Sequence, residues 1–578
     1  MKLVNLANIA AVVQISVMHG LQKACRVAPL LLLSLACQAN VDKPNGGAAG
    51  GAGSGGAQNL AGGATLPPGT QPTALLPARI RRLADAEYQA SVSALFNGAA
   101  AARDISKDFV PDSRQSGFTL NEAQRVDPVL AGQLADAAIK LAAELRAHVT
   151  ERAPCANPAT DADTCARDFI TKFGLSAYRR PLGEDEITEL LKVFHAALDG
   201  GSYEEGIELT ARAMLQSAAF LYLTEIGAAP AATVELTPFE VASSITYLIQ
   251  GRPPSADQLM RVKDLSADAA RQALLADPSL FGLDAKDRVV RVIREWLGTD
   301  RIADIAKDSN IYPEFDLVKG DMATETTSFL QELAQSHNGS LKELLAGDWT
   351  VANGRLASTA YGMNDVSGDF QHIATPDRLG ILNQAAFLSV FSHAHETAPV
   401  LRGVAVMRRV ACAPVGDPVG LTTAVVPPPP DATKSTRQRF AAHAVDSCAV
   451  CHDRIDNFGF AFEGFDGMGR TRDKDNNQVV DASVTVTGTD FDGSYANSNA
   501  LVKAMSTSNQ VRECFARHMF RALATTSDPA VKSSEDDFVK YWAANLPQNG
   551  GQVVDVGIID TLVAYIKSPG FIYRRAQQ

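Results

Sequence analysis

The chain has 578 residues, 46% hydrophobic and 20% charged, a length and balance that call for several globular domains and exclude a largely disordered polymer. Its formal charge is −12, or −15 without Lys2, Lys23 and Arg26, the only charged residues of 1–36, so it has no general pull on nucleic acid. Beyond the N-terminus no apolar run approaches the ~18 residues a bilayer span needs, which excludes a polytopic membrane protein.

In chain order, Lys23 and Arg26 precede an apolar stretch, Val27 to Ala36, which ends at Cys37. A positive region, a short apolar region and a small residue before the cut read as an export signal over 1–37. LLLLSLAC resembles a bacterial lipoprotein signal, with Ser34 where an aliphatic residue is usual, so Cys37 is expected to be acylated. Ordinary cleavage and a retained anchor are the alternatives, and Met18 is an alternative start. Residues 38–76 are a Gly/Ala-rich linker whose composition cannot bury enough surface to offset ordering entropy. The expected location is the periplasm or the outer membrane of a Gram-negative bacterium, with membrane contact only through the lipid.

From Pro77 the pattern is helical. Leu134, Ala138, Leu141 and Leu145 form one apolar stripe within 129–150. Similar stripes recur at 165–175, 184–199, 204–226, 237–250, 286–298, 318–335 and 400–412. Strand-type alternation is confined mainly to 478–488, read as a short hairpin. Breaks fall near Pro154, at Gly227–Ala232, around Asn353–Gly368 and at the proline run Pro427 to Pro430. The expected fold is mainly α, several packed helical domains with a small c-type haem domain near the C-terminus. The expected divisions are 77–152, 153–226, 227–425, the haem domain 426–490, and a C-terminal helical domain 491–578.

Cysteines carry the strongest chemistry. Cys155 and Cys165 flank a Pro/Asn/Asp-rich stretch and are expected to form a disulfide. Cys412 and Cys514 flank the proposed haem segment and would either clamp it as a disulfide or remain two buried thiols. Cys448-Ala-Val-Cys451-His452 places two thiols three residues apart, able to form thioethers to both vinyl groups of one haem, with His452 next in line as proximal iron ligand. A zinc site would need two further ligands, and a redox disulfide between Cys448 and Cys451 usually opens a helix in a βαβ context; both are alternatives. DKDNN at 473–477 has calcium-like acidic spacing but reads as an Asx-rich turn, and Arg179–Arg180 as a helix cap or internal ion pair.

RQRFAAHAVDSCAVCHDRIDNFGFAFEGFDGMGRTR resembles the cytochrome-c-type domain of large exported multidomain proteins abundant in planctomycetes and myxobacteria. Ile455, Asp456, Gly459, Phe460, Glu463, Phe465, Asp466, Gly469 and Arg470 match that pattern, and Asn457 stands where the family usually has proline. RIRRLADAEYQASVSALF, FGLSAYRRPLGEDEITELLKVF, LTPFEVASSITYLIQGRPPSADQL, LRGVAVMRRVACAP and VRECFARHMFRALA resemble the family's accompanying helical segments. The resemblance implies an exported protein with one haem c and stops short of a reaction.

An electron carrier needs a sixth iron ligand. Candidates are His395 and His393, before a family-like turn at Pro399, Arg402 and Gly403, and Met505 and Met468 after the motif. A separate metal site from His393, His395 and Glu396 is a weaker alternative, and His443 is placed near the haem edge. The expected function is electron transfer to a redox partner protein. The alternatives are a haem enzyme of peroxidase or oxygenase type acting on an extracellular substrate, and a surface binding scaffold with structural haem. No catalytic residue, substrate or oligomeric state is legible.

Overall fold

The computed structural model describes residues 64–576 except 69, 72–73, 199–200, 337–338, 416–428, 430, 441–445, 525–530, 547, 550–551 and 554. The export signal with Cys37, most of the linker, His443 and most of the proline run lie outside the described residues. The protein is mainly helical, and every sheet among the described residues is a two-stranded antiparallel ribbon. No described helix is long and apolar enough to cross a membrane.

Helix ends follow local chemistry. Pro128–Ala147 starts with proline at its first turn, where a missing N–H costs nothing, and Asp127 accepts from the Leu130 amide. Ser202 with Glu205 and Thr237 with Glu240 form reciprocal capping boxes for Tyr203–Leu215 and Pro238–Gln250. The second of these stops at Gly251, which takes the left-handed conformation that a side chain resists. The expected stripe of the Pro128 helix, Leu134, Ala138, Leu141 and Leu145, is buried, and Leu130 extends it.

Two apolar cores result. One gathers side chains between Leu83 and Leu223 and takes Tyr247 from a later helix, whose hydroxyl shares a 2.6 Å hydrogen bond with Ser91. The other runs from Leu75 to Tyr573 and includes residues of Leu283–Leu297 and Phe315–Ser336, and Phe440, Ile455, Phe458 and Phe460 around the cysteine-histidine motif. Strand Arg79–Arg82 pairs with Tyr222–Glu225, and Tyr573–Arg575 pairs with Thr233–Glu235.

Several expected elements are corrected. The stripe at 204–226 ends at Leu215; Ser217 caps a new turn, Ala218–Leu221, and Tyr222–Glu225 leaves as a strand because Arg79–Arg82 offers it a partner. The break around Asn353–Gly368 contains a helix, Gly354–Tyr361, capped by Asn353 and ended by Gly362. The hairpin expected within 478–488 is two hairpins: Gln478–Val479 pairs backward with Lys474–Asp475, and Val484–Val486 pairs forward with Gly493–Tyr495. Asn476 and Asn477 turn the first with φ of 49° and 63°, so DKDNN is a tight hairpin turn of the kind those residues tolerate. The 400–412 segment is α-helical only over Pro399–Val406, then winds through a π turn, Met407–Ala411.

Glu325, on the helix Phe315–Ser336, is wholly buried. One carboxyl oxygen accepts from Tyr361 and from Thr350 at 2.9 Å, and the other has no partner. Burial pushes this carboxyl up to about 7. A raised carboxyl binds a proton in the folded state before the unfolded state does, so its contribution is complete below about pH 4.5 and is lost as pH rises through about 7. Urea midpoints should therefore fall between those pH values, and Glu325→Gln should flatten that slope; an unchanged slope in the variant refutes the assignment.

Candidate functional site

The motif helix is Asp446–Phe460. It places positions 448 and 451 one turn apart on one side, with His452 next to the second. The Cys451 thiol is free and half-buried. His452 Nδ1 lies 2.9 Å from Asp456 Oδ1, one helical turn on, and both side chains are largely shielded, at 18% and 8% exposure. With Asp456 ionised, Nδ1–H donates to the carboxylate and the lone pair resides on Nε2, so the carboxylate selects the tautomer and the ring's orientation.

The helix is fixed by backbone contact. It crosses Pro399–Val406 so closely that a Cβ on Gly459 would stand 1.9 Å from the Pro399 carbonyl oxygen, and one on Gly403 would stand 2.1 Å from that of Ile455. Nothing larger than hydrogen fits at either position. Asn457, at the site of the family's proline, lies inside the helix, donating from Nδ2 to the Asp453 carbonyl at 2.6 Å and accepting from the Thr485 amide at 3.2 Å. The position is therefore helical and not the turn that a proline would suggest.

The turn after the helix is built around Arg402, which is fully buried. Its guanidinium donates to the carbonyls of Phe462 at 3.0 Å, Phe465 at 3.2 Å, Leu388 at 3.3 Å and Asp466 at 2.8 Å, and pairs with Glu463 at 3.5 Å. Burial lowers Arg402 to about 10, which leaves it charged near neutrality. Glu463 is also fully buried and is pushed up by that burial, against the opposing pull of Arg472 and Arg402. It accepts from Thr397 at 2.9 Å and from Arg472 at 2.8 Å. Asp466 closes the next turn by accepting from the amides of Met468 and Arg470 and from Arg470 Nε at 2.7 Å. The matched residues Arg402, Gly403, Gly459, Glu463, Asp466 and Arg470 thus hold one piece of chain, the motif helix and its exit.

The candidate sixth ligands are dispersed in character. Met468 and Met505 are fully buried members of the core. His395 is 69% exposed and its Nδ1 is 3.0 Å from Asp308. His393 sits in a loop whose carbonyls accept from Lys307 Nζ, including His393 itself at 2.9 Å. Within the grouping of His393, His395 and Glu396, Glu396 is paired with Arg439 and His395 with Asp308.

The expected disulfide Cys155–Cys165 is present, and of the two alternatives for Cys412 and Cys514 the disulfide is the one formed. This second disulfide lies beside His518, with the two sulfurs and a ring nitrogen within 4.8 Å of one another. Desolvation by burial drives His518 down to about 3, so it is neutral and bonds the Arg408 carbonyl at 3.2 Å. Its place beside the disulfide was not anticipated; only its position four residues after Cys514 hinted at it. Arg179 ends its helix in the left-handed conformation and donates to the Ala219, Phe220 and Tyr222 carbonyls, and Arg180 forms a two-point pair with Glu186, so both serve as internal fasteners.

Comparison with known families finds four matches along the chain. PSD3, a protein of unknown function (DUF1587), matches residues 81–147, and PSD5, a protein of unknown function (DUF1595), matches 165–225. PSD4, a protein of unknown function (DUF1592), matches 236–363, and PSCyt3, a protein of unknown function (DUF1588), matches 378–475. No curated protein and no solved structure matches. The PSCyt3 match spans both the Pro399–Val406 helix and the motif helix, including every residue of the Arg402 network. The chain is a multidomain protein whose segments are similar to four cytochrome-c-associated domain families of unknown function.

Proposed function

We propose that the protein is an exported c-type haem protein that transfers electrons through one covalently bound haem. Cys448 and Cys451 are the thioether attachment points, and His452 Nε2 is the proximal ligand. The observation that carries this reading is the donor set on one helix. The thiol of Cys451 is free although two disulfides form elsewhere, and the His452 ring is held by Asp456 through Nδ1. A free Cys451 argues against a disulfide between the motif cysteines. The family name PSCyt3 over the motif points the same way.

When bound, the haem supplies one-electron iron chemistry. The chain's own residues then set its environment. Asp456 fixes the imidazole and raises its basicity, Gly403 and Gly459 let the neighbouring helix press against the motif helix, and the Arg402–Glu463 cluster prevents its exit turn from moving. A redox partner protein, export, and acylation at Cys37 belong to the same proposal.

One observation favours a second reading, a haem enzyme. An ionised carboxylate on the proximal ring makes it a strong donor, and His395 among the sixth-ligand candidates is turned to solvent and bonded to Asp308. The optical spectrum of the exported protein, oxidised and reduced, decides between them. Low-spin bands in both states support the carrier. A high-spin ferric band that shifts with cyanide or peroxide supports the enzyme. No covalent haem band from a strain that matures such cytochromes defeats both.

A further inference from the structure

Far from the motif, at the junction of strand Arg79–Arg82, helices Pro238–Gln250 and Leu283–Leu297 and the C-terminal strand Tyr573–Arg575, lies a small cavity of about 20 Å³. Arg79, Arg81, Arg288 and Arg574 line it, with Glu225 the one carboxylate among the lining residues. All four arginines are more than nine-tenths buried.

The charges do not balance. Arg81 is neutralised by Glu87 through two hydrogen bonds, of 2.6 and 3.0 Å. Arg79 and Arg574 share Glu225, which accepts from their Nε atoms at 2.7 and 2.9 Å and is held well below the usual carboxylate range by them, against the larger opposing effect of burial. Glu122 acts on Arg79 from a half-buried position; Glu87 and, more weakly, Glu295 act on Arg288, but Glu87 is bonded by Arg81 and Glu295 by Arg291 at 3.2 Å. Arg288 has no carboxylate within ion-pairing distance among the described residues; its Nε donates to the Leu248 carbonyl at 3.3 Å. Its two terminal nitrogens, and Nη2 of Arg79, find no acceptor among the described residues. The four arginines share only Glu225 and Glu87 as directly bonded carboxylates, so positive charge is left in excess in a site where burying an unpaired charge is costly. Desolvation pulls Arg288 down to about 10, a value at which it still carries its charge at neutral pH.

We propose that this cavity is a structural binding site for one small monovalent anion, chloride in a saline medium. Its size admits a single water-sized or monatomic species and excludes sulfate or a phosphate ester. The anion supplies the acceptor that Arg288 and Arg79 lack. It joins strand Arg79–Arg82, two helices of the second core and the C-terminal strand across a junction where the alternative is repulsion between guanidinium groups.

The test is thermal unfolding of the full exported chain at constant ionic strength, with gluconate exchanged for chloride from 1 to 100 mM. A ligand that binds only the folded state stabilises it in proportion to the logarithm of its concentration, so the midpoint should climb steadily with chloride. Arg288→Met should abolish the climb while leaving the motif helix intact. Identical curves in gluconate and chloride, or a climb that survives in Arg288→Met, overturn the proposal. Should Arg288→Met fail to fold, bromide-soaked crystals of the natural protein decide the matter. An anomalous peak between Arg79 and Arg288 upholds the site, and its absence overturns it.

Discussion

A Cys448→Ser, Cys451→Ser double variant should lose all covalent haem while keeping its helix content. The first half follows from the chemistry, because serine oxygens do not form thioethers and His452 alone gives a ligand without a tether. The second half follows from the structure. Cys451 is only half-buried, and its replacement by an isostere one atom type away costs about 1 kcal/mol, against the larger hold of the Gly403–Gly459 crossing and the Arg402 network. Mass spectrometry of the exported protein and haem staining after denaturing electrophoresis read the result. Retained stain would show that the attachment lies elsewhere; lost helix content would show that the thiols hold the fold.

Arg402→Met should be the most destabilising single substitution in this region. Methionine fills much of the space, but four carbonyl oxygens at 2.8–3.3 Å lose their donor and Glu463 loses one of its two cations. Breaking a buried charged partner in this way costs about 3–5 kcal/mol. A denaturant midpoint shifted by that amount with an unchanged slope would bear it out. A loss below about 1 kcal/mol would mean that the turn from Phe462 to Asp466 holds itself. Arg402→Lys, which keeps the charge but lacks the fork of donors, should recover only part of the loss.

The helical content was legible because amphipathic spacing and caps are local: the stripe ending at Leu145 and the Thr237–Glu240 box need no knowledge of the rest of the chain. The strands were not, since Tyr222–Glu225 becomes a strand only when Arg79–Arg82, more than a hundred residues earlier, lies beside it. The same distinction governs the site. The cysteine-histidine spacing and the Cys155–Cys165 pairing could be read directly, Cys412 and Cys514 only as one of two alternatives, and the resemblance singled out Glu463, Asp466 and Arg402 without a role. Their convergence on the exit of one helix is a tertiary fact, as is the Asp456 carboxylate on His452, although its spacing of four on a helix foreshadowed it. The surplus of arginine around Arg288 left no trace at all, because its members come from positions as far apart as 79 and 574.

The Cys412–Cys514 bond closes a ring of chain that contains the whole motif helix. A protease nick anywhere inside that ring leaves the molecule in a single covalent piece, migrating near full size on a non-reducing gel. Only a reductant releases the fragment bearing His452. Limited digestion run in both formats therefore gives a direct readout of whether this fastening has closed in material recovered from cells.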